Sequence, residues 1–188
     1  LEAGHPIPND ASVEAGRRIL ELADEADRTT LVITAISGGG SALLAAPVSA
    51  EGDGERIALT LGQLQKTTQA LLDSGATIQE VNAVRKHLSA IKGGRLAEAL
   101  APAHSISLIL SDVVGDDLDS IASGLTVPDG STYADAIGHI DRYGIRDRLP
   151  GDVVRILEAG AAGRVSETPA PDNEAFRLVR NVLVGTNY

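Results

Sequence analysis

Two short aliphatic runs constrain this chain most: TTLVITAI at residues 29–36 and SISLILSD at residues 105–112. Both are rich in β-branched or large aliphatic side chains, as suits strands buried in a sheet. Each ends abruptly in a polar loop containing glycine, and sequence of helical periodicity fills the interval between them. Strands joined through helices run parallel, because the helix makes the return journey. The expectation is an α/β fold, a three-layer α/β/α arrangement around a mostly parallel, Rossmann-like sheet. In such folds ligands bind beyond the carboxyl ends of the strands, where both loops lie.

The intervening helices are legible from their stripes and caps. In NDASVEAGRRILELADEAD, Ile19, Leu22, Ala23 and Ala26 fall on one face, with Asp10 or Ser12 as cap. Leu61, Leu64, Thr68, Leu71 and Leu72 predict a second helix closed by Gly75 after a polar loop around SAEGDGE. Thr77 and Glu80 form a T-x-x-E capping box, and Val81, Val84, Leu88 and Ile91 predict a third helix that stops at Gly93-Gly94. Further helices are expected over residues 133–143 and 153–159, the latter entered through Pro150. RVSETPAPDNE is the best linker candidate, and the apolar run in LVRNVLVGTNY reads as the opening of a new unit. The expected division is residues 1–165 as one α/β domain and 166–188 as linker and first strand of a second unit.

Composition narrows the partners. With 188 residues and 43% hydrophobic content the chain can bury a core, yet its only aromatics are Tyr133, Tyr143, Phe176 and Tyr188. That core must rest on aliphatic side chains, which favours helices on a sheet. A formal net charge of −10 argues against nucleic acid. No apolar run is long enough to span a bilayer and no charged-then-apolar leader opens the chain, so a cytoplasmic protein without membrane contact is expected. With no cysteine there is no disulfide, thiolate metal site or cysteine nucleophile. The absence of methionine suggests an interior piece of a longer protein. The acidic, lysine-poor balance suits salt adaptation or a GC-rich genome equally.

Three constellations carry chemistry. In SGGGS, Ser37, Gly38, Gly39, Gly40 and Ser41 follow a strand, where bare backbone N–H groups can converge on phosphate or carboxylate oxygens. The loop lacks the Gly-Lys-Ser/Thr of a Walker A motif, and Leu43 stands where both the dinucleotide fingerprint and the nucleophile elbow need glycine. A tight strand-to-helix turn is the alternative. In SDVVGDDLDSIASGLTVPD, Ser111, Asp112, Gly115, Asp116, Ser123 and Gly124 surround a cluster of hard oxygen donors; Asp112 and Asp116 are the candidate Mg²⁺ ligands. Asp117 and Asp119 serve equally well as helix caps.

The third constellation is a basic segment in an acidic chain. Residues 81–97 contain Arg85, Lys86, Lys92 and Arg95 and no acidic residue. Arg85 and Lys92, two helical turns apart, would share a face, and cations near a helix C-terminus are favoured by its dipole. A solvated basic face is the plainer reading. His5, in GHPIPNDAS, is a candidate site residue; His87, His104 and His139 form no metal-spaced pair.

Together EAGHPIPNDAS, ISGGGSALLAAP, NAVRKHLSAIKGGRLA and SDVVGDDLDSIASGLTVPD, in this order, resemble the glycerate 2-kinase family, whose C-terminal half is the MOFRL domain and whose members often carry a hydroxypyruvate reductase label. One departure is Leu125, where the family usually has proline. The resemblance implies ATP-dependent phosphorylation of D-glycerate to 2-phosphoglycerate with Mg²⁺, between two α/β domains. It implies that Gly38 to Gly40 and Ser41 cradle an anion, that Arg85, Lys86, Lys92 and Arg95 meet phosphate or the glycerate carboxylate, and that Asp112 or Asp116 serves Mg²⁺ or the substrate hydroxyl. It also implies that a glycine-lysine segment before this region and an arginine in the later domain are missing, so the chain alone is expected to fold or bind without turnover. An NAD(P)H-dependent hydroxypyruvate reductase and a non-catalytic anion-binding module are the rivals. Glycerate and ATP are the expected partners, and a homo-oligomer is compatible with all of this.

Overall fold

The computed structural model of the chain describes residues 2–52 and 55–186. In chain order it comprises α1 (Asp10–Asp24), β1 (Leu31–Ser37), α2 (Gly40–Leu43), β2 (Ser49–Gly52), β3 (Glu55–Ala58), α3 (Leu61–Leu72), α4 (Ile78–His87), α5 (Arg95–Leu100), β4 (His104–Leu110), α6 (Tyr133–Arg142), α7 (Gly151–Ala161) and β5 (Val179–Gly185). The main sheet has the order β1-β4-β5, parallel throughout, with Leu31 opposite His104 and Ser105 opposite Val179.

Local chemistry sets the helix starts. Asn9, rather than Asp10 or Ser12, is the cap of α1: it accepts from the Ser12 N–H, and Ser12 Oγ returns the bond to the Asn9 N–H. Thr60 with Gln63, Thr77 with Glu80 and Thr132 with Asp135 form the same reciprocal box on α3, α4 and α6. Each box satisfies backbone donors that a helix start otherwise leaves open.

Two apolar clusters hold the elements together. In one, α1 and α5 cover a single face of the sheet, through Ala23, Leu96 and Leu100 against Ile36 and Ile109. In the other, α3, α4, α6 and α7 pack with the β2–β3 hairpin around Val84, Leu88, Tyr133, Ile140, Ile156 and Leu157. The ring of Tyr133 lies over Gly160, where a Cβ would come within 2.2 Å of it. The opposite sheet face, with Leu31, Ile33, Leu108 and Leu110, is exposed among the described residues, so this chain supplies two of the three expected layers. An apolar groove of about 810 Å³ runs along the outer edge of β1.

Several expectations need correction. The region around SAEGDGE forms a hairpin, although its Asp53 and Gly54 lie outside the described residues. β5, expected to open a new unit, instead pairs in parallel with β4 in the main sheet; Asn187 and Tyr188 lie outside the described residues. The supposed linker is packed in place: Thr168 is buried, the Pro169 carbonyl accepts the Asp129 N–H, and Glu167 accepts from the Tyr133 N–H and pairs with His87. The third helix ends at His87 instead of reaching Gly93, because Ser89 Oγ takes the N–H groups of Ile91 and Lys92 into a separate turn.

Candidate functional site

The glycine loop after β1 is the hub of the site, and a different segment closes on each glycine. A Cβ on Gly38 would fall 1.6 Å from Oδ2 of Asp112, and one on Gly40 would fall 2.9 Å from the Ala122 Cβ. Gly39 has a φ of 77° and carries the His5 ring, 3.5 Å from where its Cβ would be. Glycine permits the close approach at Gly38 and Gly40 and the left-handed backbone at Gly39, where the His5 ring makes an ordinary contact.

The facing turn is strained. Ala122, Ser123 and Gly124 are all left-handed, with φ of 51°, 58° and 62°. For a residue with a Cβ this costs about 1–2 kcal/mol, a strain that persists only where the surroundings enforce it. The N–H groups of Gly93 and Gly94 donate to the carbonyls of Ser123 and Gly124 at 3.0 and 2.7 Å. Ser123 Oγ donates to Asn82 Oδ1 at 2.9 Å and lies 2.6 Å from Ser41 Oγ. The start of α2, the strained turn and α4 therefore meet at one point. Leu125, the departure from the resembling family's pattern, is buried in the sheet-side cluster.

The basic residues divide by role. Lys86 is buried and paired with Asp119 and Asp129, well enclosed by protein. Arg95 donates from Nη1 to the carbonyls of Lys86 and Ser89, both at 2.9 Å, closing the end of α4. Lys92 lies beyond the helix and donates from Nζ to the carbonyls of Ser41 and Leu44 at 2.8 and 2.7 Å, so it props the glycine loop from behind. Burial, reinforced by the nearby charge of Arg85, lowers its pKa to about 7. Arg85 differs from all three: it is half-buried, has no hydrogen-bond or ion-pair partner among the described residues, and is held below its ordinary pKa by burial. It borders, with Ser41, Thr68 and Lys92, a crevice of about 30 Å³, roughly the share of one water, so an anion could meet Arg85 only at the mouth.

On the acidic side, Ser111 is committed to structure: its N–H donates to the Gly185 carbonyl at 2.9 Å and its Oγ bonds within the turn to Val113. Asp112 is exposed behind Gly38 without a partner among the described residues. Gly115 and Asp116 turn the chain at φ of 87° and 54°, and Asp116 Oδ1 is buried without a partner. Asp117 caps the next turn, accepting from the Asp119 N–H and Ser120 Oγ. Burial raises the Asp119 pKa against the pull of Lys86; Asp129, despite its own burial, is held low by Lys86 and the bonds from Ser131. Among the described residues no three His, Cys, Asp or Glu side chains are placed to hold a metal together. The exposed Asp112 and the unpartnered Oδ1 of Asp116 are hard oxygen donors of the kind Mg²⁺ takes, one or two at a time, with water and phosphate oxygens.

Asn82 and Ala122 are the site residues that pattern reasoning missed. Nothing local marks them, because their partners lie 41 and 82 positions away.

Fold and site together define a class: a parallel α/β domain in which a glycine loop and a strained serine-glycine turn meet at the carboxyl edge of the sheet. The chain belongs to the family described as Domain of unknown function (DUF4147), which matches residues 1–158. It is 49% identical over 144 residues to a protein of Thermotoga maritima named D-glycerate 2-kinase, covering 77% of this chain and 33% of that protein. It is 47% identical over 181 residues to an Agrobacterium vitis protein provisionally named a hydroxypyruvate reductase, covering 95% and 38%. The crystal structure of a glycerate kinase from Thermotoga maritima superposes with a TM-score of 0.80 at 42% identity, covering 98% of this chain and 39% of that one. The chain thus spans between a third and two fifths of the length of these relatives. No helix among the described residues is long and apolar enough to cross a membrane.

Proposed function

We propose that a full-length protein carrying this domain transfers the γ-phosphoryl group of ATP to the 2-hydroxyl of D-glycerate. The observation that carries this reading is the meeting of the glycine loop, the Ser123 turn and the unpaired Arg85 at one edge of the sheet. Phosphoryl transfer is mainly positioning and charge neutralisation, and these are what such an edge supplies. The names and similarity of the relatives support the same activity.

In this reading Gly38, Gly39 and Gly40 offer backbone to an anion and Arg85 meets a phosphate or the glycerate carboxylate. Lys92, Lys86 and Arg95 position them: Lys92 through the loop carbonyls, Lys86 through Asp119 and Asp129, Arg95 through the end of α4. Asp112 and Asp116 would hold Mg²⁺, which when bound neutralises charge on the transferring group. The site of action is the cytoplasm, and the partners are small molecules.

The deciding assay uses the full-length protein: ADP release with ATP, Mg²⁺ and D-glycerate, beside NADH or NADPH oxidation with hydroxypyruvate. Glycerate-dependent ADP release is expected. Cofactor oxidation alone would overturn the kinase reading in favour of the reductase that the Agrobacterium relative's name suggests; ligand binding without either reaction would leave an anion-binding module.

A further inference from the structure

We propose that His5 is the base that accepts the proton of the attacking substrate hydroxyl, an inference that rests on the kinase reading above. The segment carrying it is pinned just after the histidine. Gln65 Nε2 donates to the Pro8 carbonyl at 2.8 Å, and Asn9 is held in the capping box of α1. Gly4 turns so tightly that a Cβ would come within 2.6 Å of the Ile7 carbonyl. These anchors set the His5 imidazole against Gly39, with Nε2 at 3.6 Å from where a Cβ would stand, an ordinary van der Waals contact distance.

The ring is otherwise uncommitted. It is exposed and makes no hydrogen bond or ion pair among the described residues. The other histidines are engaged or distant. His87 is fully buried between the Ala83 carbonyl and Glu167, and His139 sits 3.7 Å from Glu80. His104 opens β4 at the end away from the loop, a strand length of roughly 20 Å. Within the site, the hydroxyls of Ser41 and Ser123 bond to each other, and Asp112 is the candidate Mg²⁺ ligand. The charged groups on the elements packed around the loop are Asp112 behind Gly38, Lys92 beneath Ser41 and Arg85 across the crevice from Ser41.

The step balances without a further reactant. The 2-hydroxyl oxygen of glycerate forms a bond to the γ-phosphorus as the bond from that phosphorus to the β,γ-bridging oxygen breaks. That electron pair leaves with ADP, and the hydroxyl proton passes to the imidazole, from which exposure lets it reach solvent. Histidine is the side chain most often used for such transfers, and a positioned base contributes about 10²–10⁴-fold.

The test is His5→Asn and His5→Ala in the full-length protein, with kcat, both KM values, pH profiles and addition of free imidazole. The expected result is a fall in kcat of about 100-fold or more with each KM within about threefold, loss of the acidic limb of the kcat profile, and partial recovery of His5→Ala by imidazole. A kcat within about fivefold of wild type, or an acidic limb kept by His5→Asn, overturns the proposal. So does a loss confined to the KM for glycerate, which would make His5 a binding group. Wild-type protein that releases no ADP with glycerate removes the kinase reading and this step with it, whereas active wild type with an indifferent His5→Asn removes this step alone.

Discussion

At the residue scale, the site is a division of labour among cations that looked equivalent in the sequence. Among the described residues Arg85 has no hydrogen-bond or ion-pair partner, so it has a charge to offer a ligand. Arg85→Gln in the full-length protein is therefore expected to lower kcat/KM about 10- to 100-fold, the scale of one or two charge-assisted hydrogen bonds, while the melting temperature holds. Steady-state kinetics with glycerate and ATP varied in turn check this; unchanged parameters would remove Arg85 from the site. Lys92 leaves a different signature. Burial, then Arg85, brings its pKa to about 7 in the folded chain, below its value in the unfolded one. From about pH 7 to about pH 10 the unfolded chain keeps a proton that the folded chain has lost, so stability rises with pH by about 1 kcal/mol per unit. Lys92→Met removes that slope at the expense of two unpaired carbonyls. Urea titrations at about pH 7.5 and about pH 9.5 measure it, and equal slopes in both proteins would show that Lys92 keeps its proton.

At the element scale, α4 and its exit turn connect the two halves of the site. Asn82 holds the Ser123 turn, Lys86 anchors Asp119 and Asp129, and Gly93-Gly94 lies along the strained residues. Arg95 terminates this arrangement by taking two carbonyls at the end of α4. Arg95→Ala takes one bond from the Lys86 carbonyl, which still accepts from the Ser89 N–H, and leaves that of Ser89 open; it is expected to cost about 2 kcal/mol, measured by urea unfolding, with a loss of activity that tracks the displaced turn. Arg95→Lys, one compact charge in place of a planar fork, should recover only part of it. Stability unchanged in both would mean that water replaces the guanidinium.

At the scale of the whole molecule, the described residues cover the sheet on one face only. The exposed side of β1 and β4, with Ile33 at 65% exposure, presents an apolar surface beside an unpaired strand edge, the kind that associates with other chains. The isolated 188-residue chain is thus expected to self-associate with rising concentration. Ile33→Lys should shift sedimentation towards monomer while moving the melting temperature by less than about 3 °C, since little burial is lost. A wild-type chain that stays monomeric at high concentration would show this face to be harmless as it stands.

Sequence alone determined what depends on near neighbours: the aliphatic strands β1 and β4, the Thr77–Glu80 box that starts α4, and the glycine run after β1 are all set by residues within a turn or two of each other. Tertiary structure decided the rest. The end of α4 at His87, the hairpin over SAEGDGE and the place of β5 in the main sheet depend on partners far along the chain, which periodicity does not register. The roles of the four cations were decided in the same way. A charge run reads as uniform, yet a buried ammonium must find an acid or a carbonyl, and the fold placed Asp119, Asp129, Ser41 and Leu44 in reach of Lys86 and Lys92 while giving Arg85 no hydrogen-bond or ion-pair partner among the described residues.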